Sequence, residues 1–277
     1  MFMNDNTVYE KHDLLERFMV DIFVLNGVPE DDARVCANVL TEADLRGIDS
    51  HGFGRFKHLY IDRIKAGMQN PVTQFEIVRE GPTTAVVDGH EGMGQVIGKK
   101  AMETAIDKAS KYGMGMVAVR NSTHYGIAGY YPLMAVEKGM IGITGSNSRP
   151  TVAPTFGVES ILGTNPIAFG MPTDEEFPFL FDCATSTAQR GKIEFFARTN
   201  RNIPEGWVIG ENGESRTDVQ QINIDLDKGK AALLPLGGMG ELGSGHKGYG
   251  FATVVEILSA ALQGGVFLKA LAAVDEN

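Results

Sequence analysis

The hydrophobic period of this chain changes once, near residue 70, and that change limits what it can fold into. Across residues 12–26, Leu14, Leu15, Phe18, Met19, Ile22 and Phe23 recur at spacings of three and four, one face of a helix that Gly27 can end. Pro29 opens a second helix, with Ala33, Val35, Cys36, Val39 and Leu40 as its buried stripe. A third helix is expected over about 54–66, stopped at Gly67, and Pro71 begins an extended region. Beyond it, short strand-type runs take over: TTAVVDG, MGMVAVRNS, MIGITGSNS, PIAFGMP and FPFLFDCATS. Helical segments at 96–112 and 130–138 lie between the first of these, each followed by glycine. Strands alternating with helices argue for a layered α/β domain. Polar residues collect just after the strand ends, where open α/β sheets place ligands. Residues 198–230 read as polar and turn-rich, and 254–262 as a strongly apolar helix.

Size and charge narrow the function classes. A chain of 277 residues, 43% of them hydrophobic, is long enough for one large or two interlocked domains. Its formal net charge of -10 repels phosphate backbones, so no nucleic-acid partner is expected. An anionic substrate would have to meet a local basic group. The two cysteines, Cys36 and Cys183, have no metal-type spacing and sit in apolar or small-residue runs; they suit a reducing cytoplasm. The first residues, MFMNDNTVYEKHDLLERF, hold no apolar signal core, and no stretch approaches the roughly 18 apolar residues of a membrane span. A cytoplasmic location without membrane contact is the expectation.

Three sets of residues carry possible chemistry. Gly238-Met239-Gly240-Glu241-Leu242-Gly243 spells GxGxxG between an apolar run and an apolar helix, the context of a dinucleotide turn. However, the loop is read as continuing through His246, Lys247 and Gly248, and no acidic residue ends a second strand, because Glu256 falls inside the helix. A ligand-closing loop fits better than a Rossmann turn, with Lys247 placed for a phosphate or ribose; an exposed turn lysine is the plain alternative. The string at 92–98 is read as a helix entry. Among six histidines, His12 and His90 are expected to be solvated. His51 stands in Asp49-Ser50-His51-Gly52, four residues before Arg55, and His124 in Asn121-Ser122-Thr123-His124-Tyr125-Gly126 at a strand end. Imidazole exchanges a proton near neutral pH, and a guanidinium grips a carboxylate through two parallel hydrogen bonds. A base, a carboxylate clamp and a cofactor are the minimum parts for oxidising a 2-hydroxy acid. Each histidine alone could equally be a cap or a core hydrogen-bonder, and Arg55 could be a surface arginine paired with Asp49 or Asp62. No HExxH set suggests zinc and no GxSxG elbow a hydrolase.

The strings ADLRGIDSHGFGRF, NSTHYGIAGYY, GTNPIAFGMP, FDCATS, PEGW, LLPLGG and GHKGYGFATVVEILSAAL together resemble the malate/L-lactate dehydrogenase family. That family also holds ureidoglycolate, sulfolactate and diketogulonate dehydrogenases and a cyclic-imine reductase. The resemblance implies a layered α/β fold with a mixed sheet, not a standard Rossmann fold, plus an N-terminal helical part. It implies an enzyme using NAD or NADP on a small 2-hydroxy or 2-oxo acid, malate ahead of lactate, and a homodimer. A cyclic imino acid reductase, a ureidoglycolate or sulfolactate dehydrogenase and a cofactor-binding relative without turnover are the alternatives. His51 and His124 then match the acid/base histidines, Arg55 the carboxylate-binding arginine, and Ser50 a residue orienting substrate. Ser148, Asp182, Cys183, Ala184, His246 and Lys247 match positions that hold the cofactor. The implied organisation is a helical part over 1–75 contributing to the substrate site, a cofactor-binding α/β domain over 76–265, and a remnant of a C-terminal segment over 266–277.

Overall fold

The computed structural model describes residues 10–273; residues 1–9 and 274–277, the two ends of the expected N-terminal and C-terminal parts, lie outside the described residues. Helix α1 (His12–Leu25) turns at Gly27, φ +90°, into α2 (Glu30–Leu45), whose first turn carries Glu30, Asp31 and Asp32 against the positive end of the helix dipole. The expected third helix has three parts: α3 (Phe53–Phe56), a π-helical turn (Lys57–Ile61) and α4 (Asp62–Lys65). A 3.6-residue pattern does not reveal such a turn, and π turns recur at functional sites.

Strands β1 (Glu76–Glu80) and β2 (Thr84–Gly92) pair antiparallel; β2, α5 (Gly94–Tyr112) and β3 (Met116–Ser122) make a parallel crossover unit, so this sheet is mixed. After α6 (Tyr130–Val136), strands β4 (Gly142–Gly145), β5 (Ile167–Met171) and β6 (Phe179–Cys183) form an antiparallel sheet in chain order. Then follow α7 (Arg190–Arg198), β7 (Val208–Gly210), β8 (Ser215–Arg216), α8 (Val219–Asp227) and β9 (Ala231–Leu233), with a third sheet ordered β8-β7-β9. The chain closes with α9 (Gly245–Ala260) and α10 (Ala270–Ala273). No doubly wound parallel sheet forms among the described residues.

Two readings change, and a third gains a partner. The stretch 198–230, expected to be turns, holds α8 and two strands. Helix α8 was legible in Asp218, whose carboxylate accepts from Gln220 N and Gln221 N as an N-cap, and in buried Val219 and Ile222 at helical spacing. Residues Gly245 to Gly248 belong to the first turn of α9 rather than to the preceding loop. His90, near the end of β2, is partly exposed and also bonded, its Nε2 2.8 Å from Glu76.

Two cores follow. One gathers Met19 and Phe23 of α1, Cys36 and Leu40 of α2, and Phe56 and Tyr60 of the third helical run against Met93 and Val96 at the start of α5. Phe23 meets Phe56 edge to face at 5.0 Å. The other gathers Ile193 of α7, Val208 of β7, Val219 and Ile222 of α8, Leu233 of β9 and Ala252 of α9. Segments from both cores converge on the loop between α2 and α3.

Candidate active site

That loop carries Ser50 and His51. Its shape depends on Asp44, whose carboxylate accepts from Phe53 N at 2.8 Å and leaves no room for a side chain at position 52: a Cβ there would lie 1.7 Å from Asp44 Oδ1. Gly52 itself has φ −91°, so the close approach rather than an unusual turn requires glycine. Helix α3 therefore starts after His51. Arg55, one turn into it, is drawn back to the loop by a 2.9 Å bond from its Nε to Ser50 O.

His124 arrives from the end of β3. Buried Asp88 holds that end, accepting from Arg120 Nε at 2.9 Å and from Asn121 Nδ2. Burial alone would raise the Asp88 pKa, but the bonds from Asn121, the His90 amide and Arg120 hold it below the ordinary carboxylate value. The start of α5 presses on the same loop: a Cβ on Gly94 would come within 2.2 Å of Thr123 O and 2.5 Å of His124 O. Gly94 N donates to Thr123 Oγ1, which donates to Gly92 O.

The two histidines meet as stacked rings, centroids 5.6 Å apart and 23° from parallel. Tyr60, in the π-helical turn, places its hydroxyl 2.7 Å from His124 Nδ1, and Gly126 N donates to the same nitrogen at 3.3 Å. A backbone amide can only donate, so Nδ1 is the acceptor and the ring proton of neutral His124 sits on Nε2. Ser50 Oγ lies 3.0 Å from His51 Nδ1 and accepts from Gln189 Nε2 at 2.7 Å. Burial, then the Arg55 charge, lowers the His51 pKa to about 4. Burial, then His51, Arg55 and Arg63, lowers that of His124 to about 3. Both rings are neutral at pH 7.

The expected substrate-side residues Ser50, His51, Arg55 and His124 thus form one cluster. Arg55 pairs with neither Asp49 nor Asp62; its Nη2 meets Glu194 of α7 at 3.1 Å, while Lys57 and His58 take Asp62. Sequence reasoning passed over Tyr60, Gln189 and Glu194. Nothing adjacent in the chain marks them, although Ile193, Phe196 and Ala197 at spacings of three and four could have announced the helix that carries two of them.

Of the expected cofactor residues, Ser148 and the segment Asp182 to Ala184 gather beside Thr164 and Asn165, while His246 and Lys247 stand on α9. Ser148 Oγ accepts from Thr164 N, and Ser148 N donates to Asn165 Oδ1. Asn165 in turn donates to Ala252 O and to Glu256 of α9. Beyond Cys183 and Ala184, Thr185 Oγ1 donates to the Thr164 and Asn165 carbonyls. Asp182 Oδ2 accepts from Gly129 N at 2.6 Å. Leu236 N donates to Thr185 O, tying this segment to the glycine loop before α9. His246 and Lys247 are exposed on the first turn of α9, and no side-chain contact joins them to the histidine pair among the described residues.

A separate cleft, whose lining includes none of Ser148, Asp182, Cys183, Ala184, His246 and Lys247, lies before α9. Gly237, Gly238 and Gly240 have φ of +101°, +80° and +57°, and their loop lines this cleft of about 360 Å³ with Thr155, whose buried Oγ1 has no hydrogen-bond partner. The loop feeds the N-terminus of a 16-residue helix carrying Lys247, a ready anion site. Among the described residues no group of three or more His, Cys, Asp or Glu is placed to hold a metal ion, and no helix is long and apolar enough to cross a membrane.

Paired imidazoles beside an arginine suit proton exchange on a small acid. The sequence profile of the malate/L-lactate dehydrogenase family matches residues 11–277. The chain is 53% identical over 268 residues to the malate dehydrogenase of Pyrococcus abyssi (strain GE5 / Orsay), covering 97% of this chain and 72% of that one. It is 45% identical over 245 residues to the L-sulfolactate dehydrogenase of Methanocaldococcus jannaschii, covering 88% and 67%. The crystal structure of malate dehydrogenase from Entamoeba histolytica superposes with a TM-score of 0.96 at 47% identity, over 98% of this chain and 75% of that one. The protein belongs to the malate/L-lactate dehydrogenase family, whose dehydrogenases are oxidoreductases of 2-hydroxy acids.

Proposed function

We propose that the protein interconverts malate and oxaloacetate, with lactate and pyruvate as weaker substrates, using NAD or NADP. The carrying observation is the stacking of His51 on His124 at 5.6 Å beside Arg55. A bound nicotinamide supplies or accepts the hydride at C2 of the acid. In this reading Ser148, Asp182, Cys183, Ala184, His246 and Lys247 hold the dinucleotide, the last two at the helix N-terminus. Arg55 binds the 1-carboxylate, since a planar fork matches it where lysine does not. Ser50 fixes His51 through Nδ1. The proton of the substrate hydroxyl is exchanged with an imidazole: with His51 directly at Nε2, its Nδ1 facing Ser50 Oγ, or with His124 at Nε2 if Tyr60 moves the balancing proton at Nδ1.

The low pKa values of the free site have a function in this scheme. After burial, the Arg55 charge adds to the depression at both rings. A substrate carboxylate on Arg55 offsets that charge, which raises both imidazole pKa values once substrate is present and makes His51 a better proton acceptor at Nε2. We assign 1–75 a contribution to the substrate site, completed there by His124, Gln189 and Glu194, the rest of 76–265 to cofactor binding, and 266–277 to a remnant of a C-terminal segment. We also place the protein in the cytoplasm as a homodimer, the latter checked by sedimentation at twice the 29.9 kDa chain mass.

The test is a panel of 2-oxo acids with NADH and with NADPH, followed at the absorbance of the reduced nicotinamide. Turnover is expected to be fastest with oxaloacetate. Reduction of cyclic imino acids alone would move the substrate class to carbon–nitrogen bonds. Cofactor binding with no turnover on either panel would leave a non-catalytic relative.

A further inference from the structure

Arg55 is not waiting with an open fork. Its Nε is committed to Ser50 O, and its Nη2 lies 3.1 Å from Glu194 Oε2. The other oxygen of the same carboxylate, Oε1, is held by Arg190 Nε at 3.1 Å, and Arg190 Nη2 reaches Asp227 at 2.5 Å. One carboxylate therefore sits between two guanidinium groups beside the histidine pair. The turn of α7 that carries it is fixed: Gln189 donates to Ser50, and a Cβ on Gly191 would fall 2.3 Å from Arg55 Nη2. Arg55 and Glu194 are about three-quarters buried, with side-chain exposures of 25% and 28%, so the pair is worth more than a surface ion pair.

Resting on the reading of Arg55 as the clamp, we propose that Glu194 and Arg190 set substrate specificity for diacids. In the free protein Glu194 is an internal stand-in for a substrate's acidic group. An incoming 2-oxo acid displaces it from Arg55. Arg190, kept in place by Asp227, then takes the second acidic group of the ligand, a carboxylate or a sulfonate. The separation suits this, since each guanidinium lies one hydrogen bond from the same carboxylate and the two acid groups of a four-carbon diacid are only a few bonds apart. A monoacid such as pyruvate replaces one contact of Glu194 and leaves its charge beside the site. A diacid satisfies both arginines, and the loss of Glu194 from both is compensated.

Steady-state kinetics with oxaloacetate and pyruvate, which differ by one carboxylate, tests this on Arg190→Gln, Arg190→Lys and Glu194→Gln. Arg190→Gln is expected to lower the oxaloacetate-to-pyruvate ratio of kcat/KM by about 10- to 100-fold, the range for a hydrogen bond to a charged group. Arg190→Lys should lose less of it. Glu194→Gln should lower KM for pyruvate severalfold. Thermal melts establish that each variant is folded, and calorimetric titration with malate and lactate gives the same comparison without turnover. An unmoved ratio in folded Arg190→Gln overturns the proposal. So does a Glu194→Gln variant whose KM rises equally for both acids, which makes Glu194 a mere prop for Arg55. If the wild-type protein neither turns over nor binds any of these acids, the hydroxy-acid reading itself falls; if it handles them and only the ratio is unmoved, this inference alone falls.

Discussion

The substrate side and the cofactor side of this site are built differently. On the substrate side every polar side chain is already held by another: His124 by Tyr60, His51 by Ser50, Ser50 by Gln189, Arg55 by Ser50 O and Glu194. On the cofactor side the side chains of Ser148, Asn165, Thr185 and Asp182 are held mainly by backbone groups. Gly237, Gly238 and Gly240 shape the loop, a helix N-terminus follows, and Lys247 stands exposed without a partner among the described residues. Proton transfer needs groups fixed to within a fraction of an ångström, and preorganisation supplies that. A dinucleotide offers phosphates and hydroxyls along its length, and many weak backbone donors can meet it. The contrast predicts that single side-chain changes cost more on the substrate side.

The largest effect should come from the histidine–arginine cluster. His124→Asn is expected to lower kcat/KM about 100- to 10,000-fold, the span of general acid–base help. Arg55→Lys should raise KM for the oxo acid and leave the cofactor dissociation constant nearly unchanged. Steady-state kinetics with equilibrium cofactor titration separates the two. Near-normal efficiency in Arg55→Lys would remove Arg55 from the clamp and erase the contrast between the sides.

Acid should strike the substrate side next. Both imidazoles have folded-state pKa values far below 6.5, about 4 for His51 and about 3 for His124. Below pH 6.5 the unfolded chain binds protons that the folded chain refuses, so stability falls as pH falls. Each histidine contributes a slope of about 1.4 kcal/mol per pH unit until its folded pKa is reached. Denaturant unfolding between pH 7 and 4.5 should show this loss, reduced in His51→Asn. A flat profile would mean that the rings are not shielded.

How much of this was legible in the sequence follows the same division. SHG-x-x-R and STHYG are contiguous strings, and their residues do meet in space. The helical start was legible because its apolar face repeats at 3.6 residues, and the buried Met19, Phe23, Cys36 and Leu40 lie on it. The π-helical turn was not, because Phe56, Tyr60, Ile61 and Ile64 keep helix-like spacings through it. Gln189 and Glu194 lie about 140 residues from their partners, and only tertiary packing of α7 makes that contact. Residues 198–230 were misread because strands of two and three residues are too short to show alternation. The GxGxxG string misled in the opposite way: the glycines shape a loop into a helix, but no parallel sheet stands behind it.

On the cofactor side, Lys247→Ala should weaken NADH or NADPH binding by about 1.5–3 kcal/mol, the range for one hydrogen bond to a charged group. Fluorescence titration of the reduced cofactor reads it directly. KM for the oxo acid at saturating cofactor should hardly change. An unaltered cofactor dissociation constant would place Lys247 outside the site and leave the backbone as the sole holder.

The smallest effect, and the sharpest probe of preorganisation, is expected at Tyr60. Tyr60→Phe removes the hydroxyl 2.7 Å from His124 Nδ1 and keeps the ring packed against Phe23. The net loss of one buried hydrogen bond is about 0.5–1.5 kcal/mol of stability. Nδ1 still accepts from Gly126 N, so the Nε2 proton of His124 is expected to stay in place. The catalytic rate should then fall by less than about tenfold, the equivalent of about 1.4 kcal/mol. If Tyr60 instead passes its own proton to Nδ1 while Nε2 gives one to the substrate oxygen, the loss would approach that of His124→Asn. Burial raises the Tyr60 pKa well above that of free tyrosine, which makes a phenolate there costly and argues for the smaller effect. Single-turnover rates of Tyr60→Phe against His124→Asn decide it: rates alike would make Tyr60 part of the proton path, and rates far apart would leave it a prop that fixes one ring nitrogen.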